Sequence, residues 1–207
     1  VPYAAGAFLC KTAEDYYSVS TDAPYVQYDK TTDSGPYTLE GSRSATGASA
    51  VWMVAKTLGM GPEGLGRIIE RTMQIKKEML AEVSKNLDFL RPIHAGDLNI
   101  VCLVCSREGE PVSKTNERTQ AVYQKLMGSL KPTFTISKTT LDLERYSKLT
   151  TETVLNWNGI WDDETKGLVV LRLCLMNPFT NSREMKNNFV QEVIALLSSE
   201  SQARQII

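Results

Sequence analysis

Histidine is nearly missing from this sequence, with His94 the sole example in 207 residues. A cysteine–histidine metal cluster needs more ligands of that kind, so a zinc-type site is not expected and no metal is assigned. A basic excess is missing too: 23 Lys and Arg stand against 24 Asp and Glu, a formal net charge of −1. Nucleic-acid grooves and polybasic membrane surfaces need surplus cations to attract phosphate, so neither partner is expected. No apolar run approaches the roughly 20 residues that span a bilayer, and no secretory leader precedes Val1, so the expected location is cytoplasmic. There is no initiator methionine. The apolar opening VPYAAGAFLC reads as a strand entered part-way, which predicts a fragment or cleaved product, the alternative being a trimmed complete domain.

What is present is an ordinary globular composition, 42% hydrophobic and 23% charged, enough for one large core or two small ones. Of the four cysteines (Cys10, Cys102, Cys105 and Cys174), two form a C-x-x-C in the β-rich run DLNIVCLVC. Side chains alternate across a strand, so residues three apart face opposite ways. Cys102 and Cys105 are therefore expected as structural thiols, not as a shared metal site or redox pair.

Periodicity supplies the elements. A buried strand is expected over 2–10, followed by less regular chain. The stretch STDAPYVQYDKTTDSGPYT has loop composition at a length where ordered loops are commonly functional. A helix follows over 45–58, with Val51, Val54, Ala55 and Leu58 on one face, Ser42 or Ser44 as N-cap and Gly59 as terminator. A second, long helix is predicted over 62–85, with Pro62 in its first turn. Strands are expected over 99–105, 132–141, 153–157 and 167–176, the last almost wholly apolar and so central. Helices are expected over 114–130 and 187–197. The order β-α-β-β-β-α suggests a small α+β sandwich.

The sequence TLEGSRSATGASAVWM places a Gly-Ser-Arg turn directly before the 45–58 helix. Helix N-termini present unpaired N–H groups and partial positive charge. Gly41 allows close backbone approach, Ser42 adds a hydroxyl and Arg43 a planar cation suited to phosphate. By spacing alone the turn is a weak signal for a phosphate cradle, and simple capping is the reading it favours.

PYTLEGSRSATGASAVWM resembles the segment after the mobile catalytic loop of group II pyridoxal-phosphate-dependent amino-acid decarboxylases, especially their tyrosine/glutamate decarboxylase-like members. It is more distantly similar to sphingosine phosphate lyases. VPYAAGAFL resembles the strand after the cofactor lysine, and LVVLRLCLMNPFT the late strand of the small domain. The resemblance implies an α/β protein, the C-terminal part of a fold type I enzyme. Residues 1–60 would end the large domain, with the mobile loop at about 20–38; 61–90 would connect; 91–207 would form a small α+β domain.

The resemblance also implies a function, decarboxylation of an L-amino acid with pyridoxal 5'-phosphate. Arg172 matches the arginine that approaches the substrate carboxylate, its lone charge in VVLRLC needing a partner; a structural ion pair with a nearby acid is the alternative. Tyr37 in GPYTLEG matches the loop tyrosine that protonates Cα, with Tyr28 and Tyr25 in reserve. Gly41, Ser42 and Arg43 would reach the cofactor phosphate of the neighbouring subunit in a homodimer with shared active sites. The Schiff-base lysine precedes the strand matched by VPYAAGAFL, so the anchor belongs to a missing N-terminal half. Lys11 follows that strand and cannot replace it, and His94 lies far from the ring-stacking position. This chain alone is expected to be inactive. Two other functions stay open: carbon–carbon lyase chemistry of the sphingosine-phosphate type, and a non-catalytic remnant or regulatory subunit that keeps the dimer surface.

Overall fold

The structure, a computed structural model, describes residues 5–6, 9–20, 44–93, 96–128, 134–163, 165–180 and 188–202. The chain divides into two units, Val1–Gly66 and Arg67–Ile207.

In the first unit, α1 (Ala13–Tyr17) occupies chain expected to be irregular, its Thr12 cap accepting a hydrogen bond from the Asp15 N–H at 3.2 Å. Of the strand expected over 2–10, residues 5, 6, 9 and 10 carry no regular structure and the others lie outside the described residues. Helix α2 (Thr46–Thr57) lies where periodicity put it. Ser44, one of the two cap candidates, accepts from the Thr46 N–H at 3.2 Å. Gly59 ends the helix with φ +80°, a left-handed turn that glycine makes without a Cβ clash. No residue of α2 is buried, although its sequence is strongly apolar.

The helix predicted over 62–85 is broken. Pro62–Gly66 form a wide turn in which Gly64 leaves helical geometry (φ −105°, ψ −109°), and regular helix α3 runs only over Arg67–Val83. Crowding explains the glycine, because a Cβ there would lie 2.1 Å from the Leu58 carbonyl oxygen. Only the later turns of α3 are covered: Ile75, Met79 and Val83 are buried, while Ile69 is exposed.

The second unit is a mixed α/β body on a four-stranded antiparallel sheet. Its strands are β1 (Arg91–Pro92), β2 (Ile100–Val104), β3 (Ser137–Asp142) and β4 (Gly167–Cys174), in the order β1-β2-β4-β3. Apolar β4 is interior, as its composition predicts. Alternation sorts the strands' two faces. Val101, Leu103, Leu171 and Leu173 meet the stripes of α3, α4 (Val112–Met127) and α6 (Phe189–Gln202), joined by Met79, Val122, Val193 and Ile194. Each such fully buried side chain contributes about 1.5–3 kcal/mol. The opposite face is covered over half its length, where Val104, Leu168 and Val170 pack under Val112, Val154 and Trp157.

Two expectations fail here. The strand expected over 153–157 is the end of helix α5 (Ser147–Leu155). Its threonines suit a strand, but the hydroxyls of Thr150 and Thr153 bond back to the carbonyls of Tyr146 (3.0 Å) and Leu149 (2.6 Å) and are satisfied within the helix. The strand expected over 132–141 begins only at Ser137; Phe134 and Ile136 pack on the core ahead of it, Phe134 edge-on to Phe189.

Candidate functional site

On the sheet's second face, covered and open halves meet at Arg172. Along β4, Leu168 and Val170 are buried, whereas Arg172 and Cys174 are exposed. Register places Arg172 between two direct partners, Ser137 on β3 and Cys102 on β2, with Ile100 opposite Cys174. All five share one face, because direct antiparallel partners point the same way.

The guanidinium is held on one side. Arg172 Nε–H donates to Ser137 Oγ at 3.0 Å, and the Ser137 hydroxyl lies 3.1 Å from the Arg172 carbonyl oxygen, which accepts from it. Among the described residues no carboxylate pairs with Arg172, and no side chain takes its two terminal nitrogens. The arginine is exposed, not a buried charge in need of rescue, because alternation turns it toward the open half; and the acid invoked as its structural partner is absent among the described residues.

The thiols respond to this setting. Burial pushes the Cys102 thiol above its ordinary value; the Arg172 charge pulls it down and neighbouring Cys174 raises it further. Cys105 is fully buried on the helix-covered face, so the C-x-x-C pair does point to opposite sides of the sheet. The described residues contain no cluster of three or more potential metal ligands, and none of their helices is long and apolar enough to cross a membrane.

A second polar centre lies at the start of α4. Glu110 accepts from Arg118 through both oxygens, from the Thr115 hydroxyl at 2.7 Å and from the Arg107 N–H at 2.8 Å. Burial pushes its carboxyl up, but these bonds and the Arg118 charge outweigh that and hold it below the usual range. Asp162 accepts from the Thr165 hydroxyl and from the Ser113 N–H in the first turn of α4, and these bonds lower its pKa in turn. Beside it an open groove of about 680 Å³ runs between α4 and β3. Its Asn116 already bonds the β4 backbone at Gly167 O and Val169 N, both at 2.8 Å, so this side chain is committed to the structure.

Of the predicted site residues, only Arg172 is placed. Tyr37, Gly41, Ser42 and Arg43 lie outside the described residues, as do Tyr25, Tyr28 and His94. Sequence reasoning missed Ser137, and no local signal marks it: its role comes from pairing with a strand 35 residues away. No protein-family model matches the chain, and no curated protein is similar enough to match it.

Proposed function

We propose that this chain is the C-terminal portion of a pyridoxal-phosphate-dependent L-amino-acid decarboxylase, acting as a cytoplasmic homodimer with shared active sites. The carrying observation is Arg172: an exposed guanidinium on an otherwise apolar strand, tied at Nε, with terminal nitrogens that no described side chain occupies. Such a fork suits a planar carboxylate, which it can hold through two parallel hydrogen bonds. Fixing the carboxylate also fixes the direction of the bond to be broken, a positioning effect of the kind that lowers barriers.

The residues described around α2 suit a phosphate. Ser44 takes the Thr46 N–H, but Ala45 at the N-cap offers no side-chain acceptor and the first turn carries no acid to compete for the N–H groups that follow. In this reading Gly41, Ser42 and Arg43 hold the cofactor phosphate, and the cofactor when bound supplies the electron sink for decarboxylation. Tyr37 carries a proton to Cα while its loop excludes water. No residue of α2 is fully buried and Trp52 is 60% exposed, which suits a helix that packs within a larger body.

The test is Arg172→Met in the complete polypeptide. The expected result is a fall in kcat/KM of about two orders of magnitude with pyridoxal phosphate binding retained. Unchanged turnover removes the assignment. Intact mass of the natural product and its visible absorbance with pyridoxal phosphate separate enzyme from remnant: a longer chain with a borohydride-sensitive band supports the decarboxylase, and a native 207-residue species without one supports the remnant.

A further inference from the structure

We propose that Ser137 is a positioning residue that aims Arg172, so that the guanidinium receives a carboxylate end-on through its two terminal nitrogens. The inference rests on reading Arg172 as the carboxylate anchor and adds how that anchor is oriented.

A guanidinium offers two useful edges to a carboxylate, one formed by Nε with a terminal nitrogen and one formed by the two terminal nitrogens. The Nε–H is committed to Ser137 Oγ at 3.0 Å, which closes the first edge. Ser137 cannot turn away freely, since its own proton lies on the Arg172 carbonyl at 3.1 Å. The serine thus joins the main chain and side chain of one residue in a closed ring of bonds across directly paired positions. Only the end-on edge remains for a ligand.

The other flank leaves that edge uncontested. Cys102, opposite on β2, is half-buried and its burial favours the neutral thiol, which is a poor partner for a cation. An arginine that merely stabilised the sheet would place its fork on a protein acceptor, and none of the described residues supplies one.

Two measurements test this. In the 207-residue chain, nitrogen-15 NMR follows the Arg172 Nε–H, with acetate as the carboxylate probe. Ser137→Ala is expected to speed Nε–H exchange and to weaken the acetate response at the terminal nitrogens, each about tenfold, with Ser137→Thr restoring both. In the complete polypeptide, Ser137→Ala should lower kcat/KM for the amino acid about tenfold, and leave inhibition by the amine product, which lacks the α-carboxylate, unaltered. Unchanged exchange and acetate response in Ser137→Ala, or equal loss of substrate and amine affinity, overturns the proposal. The decarboxylase reading fails separately, through turnover that survives Arg172→Met, while the acetate arm still decides whether Ser137 aims the fork.

Discussion

Arg118 holds Glu110 with both terminal nitrogens, Nη1 on Oε1 at 2.5 Å and Nη2 on Oε2 at 2.7 Å, each side chain only 12% exposed. The same guanidinium reaches the Cys105 carbonyl at 3.0 Å, so the pair ties α4 to the end of β2. Glu110→Gln keeps the shape and removes the charge, which leaves Arg118 without a counter-ion in a poorly solvated place. The expected loss is about 2–4 kcal/mol in urea unfolding at neutral pH.

The same pair sets a pH dependence. The folded carboxyl titrates below its unfolded value of about 4.3, so the unfolded chain takes up a proton first as pH falls. The stabilisation is complete above that unfolded value and disappears as pH drops through the folded one. Urea midpoints measured across this acid range should fall more steeply for the natural chain than for Glu110→Gln, and parallel curves would contradict the assignment.

Gly159 stands against the indole of Trp157. A Cβ at this position would lie 2.3 Å from Trp157 Nε1 and 2.9 Å from Val154 Cγ1, and Trp157 is completely buried. Neither neighbour can yield without opening the smaller core under the sheet. Gly159→Ala is therefore expected to destabilise by about 1–3 kcal/mol, read as a lower urea midpoint with altered tryptophan fluorescence.

Lys76 is 4% exposed and donates to the carbonyls of Gly96 and Leu98, both at 2.7 Å, clamping the connection before β2 onto α3. Lys76→Met retains most of the packing and leaves two carbonyls short of a donor. A loss of about 1–3 kcal/mol is expected, together with faster amide hydrogen exchange over 96–99 and little change in α6. Uniform acceleration throughout the unit would mean that Lys76 supports the core at large instead of this connection.

These outcomes mirror what the sequence could disclose. Strands β2 and β4 were legible because apolar alternation and continuous apolar runs follow directly from one-sided and two-sided burial, and the opposed orientation of Cys102 and Cys105 followed from the same rule. Helix α5 was not, since threonine and valine favour strands unless their hydroxyls find helix carbonyls, which Thr150 and Thr153 do. The break at Gly64 depended on the approach of the Leu58 carbonyl, a contact invisible to periodicity. Arg172 could be singled out as the one charge in its strand, but its exposure and its serine partner depended on strand register. Alternation assigns each residue to a face, but which residues stand opposite one another is settled between strands far apart in the chain.

Thiol reactivity checks that register directly. Cys174 is exposed, Cys102 half-buried and Cys105 fully buried, so access alone orders their alkylation as Cys174, then Cys102, then Cys105. Cys102 carries a further signature. Its thiol is raised by burial and partly drawn back by the Arg172 charge, with Cys174 opposing. The thiolate is the reacting form, so removing the guanidinium should leave less of it at a given pH. In Arg172→Met, iodoacetamide labelling of Cys102 mapped by peptide mass should slow and its pH profile move upward. Cys105, on the opposite face, should keep its rate. A Cys102 profile unaffected by Arg172→Met would place the two side chains apart and remove the row of Ser137, Arg172 and Cys102 on which the site is built.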